Sequence, residues 1–88
     1  MTIVEKKVAA EADVINLQKA FSMRKALMDI INEKPAPNDR DYEMFAEKND
    51  AYAAAWEQVL NNTFEGKYRT GNFSWDCNFA TREITISR

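Results

Sequence analysis

NFSWDCNFATREITIS, residues 72–87, carries the most regular hydrophobic pattern in the chain. Apolar side chains occupy the odd positions from Phe73 to Phe79, and the positions between them are polar. A period of two is typical of a β-strand that buries one face. After Phe79 the apolar positions become even, at Ile84 and Ile86, and one straight strand cannot place both sets on the same face. The stretch therefore predicts a β-hairpin over about residues 72–87.

The register of this hairpin follows from the length of its loop. A pairing of Phe79 with Ile84 leaves four residues, Ala80–Glu83, as the loop and sets Cys77 opposite Ile86. The apolar side chains of both strands then share one face, which we expect to pack inward. Because an isolated two-stranded ribbon is marginally stable, this face must pack on the rest of the chain or extend the sheet of another chain. The pattern leaves both arrangements open.

The first part of the chain has the spacing of a helix. Thr2 and Glu5 match a capping box, and apolar residues recur after them in steps of three and four. The segment KPAP, residues 34–37, ends this pattern because proline cannot continue a helix. We predict a first helix over about residues 3–33, with an apolar stripe wider than one neighbouring helix can cover.

A second helix is predicted over about residues 39–62, with Asn38 or Asp39 as its cap and Trp56 on its apolar face. Two helices joined by a short loop form an antiparallel helical hairpin. The predicted fold class is therefore α+β, a long antiparallel helical hairpin with a C-terminal two-stranded β-hairpin packed on it. Both parts are expected to belong to a single domain, residues 1–88.

Length and composition agree with a small soluble domain. The 88 residues are 45% hydrophobic and 30% charged, and the longest apolar run is far too short to span a membrane. The charged N-terminal residues do not resemble a secretory leader, and a single cysteine cannot form an internal disulfide. We therefore expect a cytoplasmic protein that has no membrane partner.

Catalysis is not expected, because the residues that most often carry it are missing. The chain has no histidine and only two glycines, neither of which fits a phosphate-binding loop. Asp39, Asp41 and Glu43 alternate, but residues two apart on a helix point in nearly opposite directions. We predict no metal site and no cofactor, and we expect Cys77 to be a small buried apolar residue.

Charge is distributed unevenly along the chain. The net charge is −2, but residues 1–65 carry −4 and residues 66–88 carry +2. Four acids of the second helix fall at offsets that place them along one face, namely Glu43, Glu47, Asp50 and Glu57. We predict that this face docks on a larger protein with a basic surface, as an inhibitor or modulator would. The alternative is a solvated face that only maintains solubility.

Two other binding functions stay open. A small anionic, nucleotide-like ligand could bind a set of basic and aromatic residues, namely Arg24, Lys25, Tyr68 and Arg69. Basic and aromatic residues also interleave near the C-terminus, as they do in binders of single-stranded nucleic acid. Nucleic-acid binding is the less favoured function, because Phe73 and Trp75 are expected to face the core and a pI of about 5.1 gives no general positive field.

A homodimer is the expected assembly. The predicted first helix would extend beyond the second by roughly 10 Å, which would leave Val4 and Val8 without a neighbour in the same chain. The wide apolar stripe of that helix also requires a second neighbour. Surfaces of this kind pair with a second copy or with a partner. The sequence thus predicts a non-catalytic binding protein that docks on a larger protein.

Overall fold

The computed structural model describes residues 2–88, which form two helices and three strands. In chain order they are β1 (Ile3–Val8), α1 (Glu11–Glu33), α2 (Asp39–Phe64), β2 (Ser74–Asn78) and β3 (Glu83–Ser87). The helices pack against each other, and the strands form an antiparallel sheet in the order β1-β3-β2. The predicted α+β fold, a helical hairpin with a C-terminal β-hairpin, is confirmed, and the sheet has a third strand that was not predicted.

The beginning of the chain contradicts the predicted start of the first helix near residue 3. Residues Ile3–Val8 form a strand, and α1 begins at Glu11. The capping-box pattern indicates only a local preference for a helix. The hydrogen bonds that β1 forms with β3 outweigh this preference. Thr2 and Arg88 exchange backbone hydrogen bonds of 3.0 and 2.9 Å. With 23 residues in α1 and 26 in α2, the predicted overhang of the first helix is absent, and the valines assigned to it belong to β1.

The C-terminal hairpin forms with a register two residues away from the predicted one. Cys77 pairs with Ile84, so the predicted pairing of Cys77 with Ile86 is wrong. The loop has four residues as predicted, but it spans residues 79–82 because Asn78 organises the turn. The Asn78 side-chain oxygen accepts hydrogen bonds from two loop N–H groups, at 3.0 and 3.3 Å. A shift of two residues keeps each side chain on the same face of its strand, so the predicted facing of the apolar residues remains correct.

The core lies beneath the middle strand of the sheet. Ile84 and Ile86 of β3 are fully buried, with an edge strand on each side. They belong to one cluster with eight other buried apolar side chains, namely Ala9, Val14, Leu17, Ala55, Trp56, Val59, Leu60 and Phe64. The helical members of this cluster come from the N-terminal part of α1 and the C-terminal part of α2. The sheet therefore covers one end of the helical hairpin.

The other end of the helical hairpin lies beyond the sheet. Between residues 18 and 54 the only buried side chain is Asp41, while Met23 is 43% exposed and Ile30 51%. α1 extends for about 35 Å, whereas strands of five or six residues are no longer than about 20 Å. The wide apolar stripe predicted for the first helix is thus left partly in contact with solvent.

Asp41 stabilises the beginning of α2. Its N–H donates to the Asn38 side chain and its carboxylate accepts from the Asn38 N–H, both at 3.0 Å, which completes a capping box. Lys34 Nζ lies 2.7 Å from Asp41 Oδ1. The hydrogen bond from Lys34, followed by the one from the Asn38 backbone, holds the pKa of Asp41 below its ordinary value of 3.8. The turn between the helices therefore relies on an ionised carboxylate.

Asp41→Asn should lower the free energy of unfolding at neutral pH. It should also reduce the loss of this free energy as the pH falls into the acidic range. Because the folded-state pKa is depressed, ionised Asp41 contributes stability above the ordinary pKa of 3.8 and loses it as the pH falls through the lowered value. Urea unfolding between about pH 7 and about pH 2.5 would measure both effects. Asp39→Asn, which removes an exposed charge from the same turn, controls for general charge effects. An unchanged acid dependence in Asp41→Asn would contradict the prediction.

Candidate docking surface

The predicted acidic residues form an exposed row along α2. Glu43, Glu47, Asp50 and Glu57, together called the acidic ridge here, are all exposed. They lie on the side of the helix turned away from Trp56 and Val59, which are in the core. The first three form no salt bridge with any residue between 2 and 88, whereas Glu57 Oε1 lies 3.4 Å from Arg69 Nη1. The structure thus brings the four residues together as one surface.

Repulsion within the acidic ridge opposes folding slightly. Glu47 is four residues from Glu43 and three from Asp50, and each such pair of like charges on a helix costs a few tenths of a kcal/mol. These side chains fill no space in the core, so packing does not require them. A row of unpaired carboxylates on a rigid helix provides the charge pattern that a basic surface would complement.

The residues predicted to bind an anionic ligand do not form one site. Arg24 Nε donates to Asn49 at 2.9 Å, and the Arg24 guanidinium lies over the rings of Phe45 and Tyr52, at 5.3 and 5.4 Å from their centroids. Lys25 is exposed on α1. These two residues lie in the half of the helical hairpin that extends beyond the sheet.

The other two residues of that set lie after α2 and have their own partners. The Tyr68 hydroxyl donates to Glu5 at 2.9 Å, and this bond to a carboxylate raises the pKa of Tyr68. Arg69 donates to Asn61 at 3.0 Å and pairs with Glu57. The contacts of Tyr68 and Arg69 share no residue with those of Arg24, so the four side chains do not converge on a common ligand.

The aromatic residues of the C-terminal hairpin are packed to different degrees. Phe73 and Phe79 are half-buried against the core, and Phe73 meets Tyr68 edge-on with ring centroids 5.0 Å apart. Trp75 faces the helices as expected but stays 38% exposed, because β2 is an edge strand. Its ring still lies 5.7 Å from that of Trp56, and its indole N–H donates to the Tyr68 carbonyl at 3.0 Å. Trp75 is therefore held in a fixed position at the border of the sheet.

Two clefts open on either side of Trp75. The first, of about 280 Å³, is lined by Ala53, Glu57, Leu60, Arg69, Thr70 and Trp75 and is called the Glu57 cleft here. The second, of about 200 Å³, is lined chiefly by Phe21, Tyr52, Trp56, Trp75, Cys77 and Phe79 and is called the aromatic cleft. Each has the size of one large side chain. The clefts combine residues from distant parts of the chain, so no local sequence pattern could have predicted them.

The remaining candidates for chemistry have structural explanations. Asp41, one of the alternating acids, is bonded to Asn38 and Lys34. Among residues 2–88 no group of three or more Cys, Asp and Glu side chains is arranged to hold a metal ion. Cys77 is half-buried, and burial, with a smaller effect of Asp76, raises the pKa of its thiol. A raised pKa lowers the fraction of reactive thiolate.

Comparisons with protein families, with curated proteins and with solved structures found no match for this chain. In the segment from residue 2 to residue 88, neither helix combines the length and the apolar character that crossing a lipid bilayer requires. The geometry and charge of the acidic ridge and of the two clefts therefore provide the evidence for a function.

Glu47→Gln should raise the free energy of unfolding, because it removes two repulsive pairs from the acidic ridge. The expected gain is about 0.2–0.5 kcal/mol for each pair at low salt, and it should shrink at high salt as the charges are screened. Thermal melts at both salt concentrations would measure it. Glu57→Gln is the matched control, because it removes one acidic charge from the same ridge but breaks the attractive contact with Arg69. It should therefore bring no comparable gain in the free energy of unfolding. A loss of stability in Glu47→Gln would contradict the assignment of Glu47 to an unpaired ridge.

Proposed function

We propose that this protein is a non-catalytic cytoplasmic docking protein that binds a larger protein through the acidic ridge. The observation that carries the proposal is that Glu43, Glu47 and Asp50 are exposed in one row and form no salt bridge with the described residues. The row costs some stability and contributes nothing to the core. A binding role accounts for its presence on a helix that packing holds rigid.

Docking of this kind suits an inhibitor or modulator of a protein that uses a basic surface. From Glu43 to Glu57 the ridge extends for about 21 Å along the helix, enough to meet several Lys or Arg side chains of a partner. Occupation of a basic surface would compete with any polyanion that binds there. Because the contacts are charged and peripheral, they should accelerate association and weaken as salt increases.

Charge reversal of the ridge tests this proposal. A tagged chain carrying Glu43→Lys, Glu47→Lys and Asp50→Lys should lose its partner in a pull-down from the native host, and circular dichroism should still report a folded helix. The matched control carries Asp29→Lys, Glu33→Lys and Glu65→Lys, which change the net charge equally at exposed positions outside the ridge. Capture of every partner by the ridge variant, at the level seen with the control, would refute the docking role.

We also propose that two copies associate through the outer side of the helical hairpin. Met23 and Ile30 of α1 are 43% and 51% exposed there. Met23 and Ala20 line a shallow groove of about 190 Å³ with Lys48 and Ala51 of α2. Burial of these apolar side chains against a second copy would remove them from water and supply the second neighbour that the wide stripe of α1 predicts.

Met23→Lys together with Ile30→Lys should convert a dimer into a monomer. The chain has a mass of 10.2 kDa, and light scattering during gel filtration should give about twice this value for the unmodified chain and the single value for the variant. Val8→Lys is the control, because Val8 is an apolar residue of β1 that is even more exposed than Met23 and Ile30. A monomeric unmodified chain at micromolar concentration would exclude this dimer.

A further inference from the structure

The edge of β2 has unpaired backbone groups. Arg88, which follows β3, exchanges both backbone hydrogen bonds with Thr2, which precedes β1. Because successive residues of a strand direct their N–H and C=O groups to opposite sides, the even-numbered residues of β3 bond toward β1 and the odd-numbered residues bond toward β2. The β2 partners of these odd residues are Ser74, Asp76 and Asn78. The N–H and C=O groups of Trp75 and Cys77 therefore point away from the sheet, and within residues 2–88 no other strand pairs with them.

The two edges of the sheet differ in how they resist a further strand. β1 contains a bulge between Ile3 and Glu5 and carries adjacent lysines, Lys6 and Lys7, both of which are common protections of an edge. β2 is a regular five-residue strand without lysine, proline or bulge. Of the two edges, that of β2 therefore resists strand addition less.

The clefts beside Trp75 lie where an added strand would place its side chains. Both clefts are walled by α2 and by Trp75, so the helices extend beneath the space next to β2. Alternate residues of a strand point to the same face and are about 6.6–7 Å apart. A strand paired with Trp75 and Cys77 would therefore direct every second side chain toward the helices, into the Glu57 cleft and the aromatic cleft.

A second copy of this chain fits the edge poorly. If β2 paired with β2 of a second copy over all five residues, Asp76 would lie directly opposite Asp76 of that copy. Like charges directly opposite each other destabilise a strand pair, whereas opposite charges stabilise it. Asp76 instead favours a strand that carries Lys or Arg on the outer face of the sheet.

We infer that the free edge of β2 binds an extended peptide segment of a partner protein in which large apolar side chains alternate with Lys or Arg. The backbone of the segment pairs with Trp75 and Cys77, and its apolar side chains enter the two clefts. Its basic side chains lie on the outer face, opposite Asp76. This surface shares only Glu57 with the acidic ridge, and peptide binding at the edge of β2 does not depend on the function proposed for the ridge.

A synthetic peptide tests this inference on the full chain. The probe is an acetylated and amidated seven-residue peptide of alternating lysine and leucine, added at up to millimolar concentration in 0.15 M salt. Saturable changes in ¹H–¹⁵N spectra are expected at the amides of Trp75 and Cys77 and at the Trp75 indole N–H. The amides of β1 should not change. Absence of saturable changes, or changes confined to the acidic ridge, would overturn the inference.

Modified peptides separate strand addition from general attraction. The added strand is expected to run antiparallel to β2, as both existing strand pairs of this sheet do. In an antiparallel pair, residues directly opposite Trp75 and Cys77 exchange hydrogen bonds with them and share their helix-facing side, so the leucine N–H groups are the ones that bond to β2. Methylation of the leucine backbone nitrogens should therefore abolish binding, and methylation of the lysine backbone nitrogens should preserve it. Equal affinity of the two methylated peptides would contradict pairing at this edge.

Two protein variants complete the test. Asp76→Lys replaces an attractive cross-strand pair by a repulsive one and should weaken peptide binding about fivefold. Asp29→Lys, which makes the same change of charge at the far end of α1, should alter it less than twofold. The ridge variant with Glu43→Lys, Glu47→Lys and Asp50→Lys should retain peptide binding. The proposal for the ridge and the proposal for the edge of β2 can therefore be contradicted separately. A fivefold loss in Asp29→Lys with none in Asp76→Lys would overturn the assignment of the edge.

Discussion

The pairing of β1 with β3 is the contact on which the rest of the structure depends. The β2–β3 hairpin alone would be a two-stranded ribbon, which is marginal in water. Addition of β1 makes β3 the middle strand, and Ile84 and Ile86 become fully buried. The pairing also joins Thr2 to Arg88, so the chain between them must return to its starting point. Two helices of similar length, connected by a short capped turn, satisfy that condition.

Local sequence patterns predicted the helices and the hairpin. They did not predict β1, because its residues IVEKKV do not alternate between apolar and polar. Glu5 and Lys7 lie opposite Ile86 and Ile84, so two charged residues face the helices where apolar residues would be expected. They are accommodated because Glu5 accepts the Tyr68 hydrogen bond and the Lys7 ammonium lies 5.7 Å from the Phe64 ring centroid. Neither contact can be derived from residues 2–8 alone. The hairpin register was missed for a similar reason, since Asn78 bonds to loop residues that the apolar pattern does not describe.

The acidic ridge was predictable, since helical geometry converts sequence offsets directly into a common face. The clefts were not, because they unite Phe21, Tyr52 and Trp75, which only the tertiary fold brings together. Alternation correctly placed Trp75 on the helix-facing side of its strand. It could not show that this strand lies at the border of the sheet, which leaves the ring partly exposed.

The two candidate surfaces meet at Glu57. This residue ends the acidic ridge and also lines the cleft beside Trp75, where its carboxylate contacts Arg69. Exposed ion pairs of this kind contribute little to stability, so a basic side chain from a partner can replace Arg69 at small cost. Arg69 would then keep its hydrogen bond to Asn61 but lose its contact with Glu57, so it would be held less firmly beside the cleft. A partner that presents both a basic surface and an extended segment could therefore engage the ridge and the strand edge together, and each contact would favour the other through Glu57.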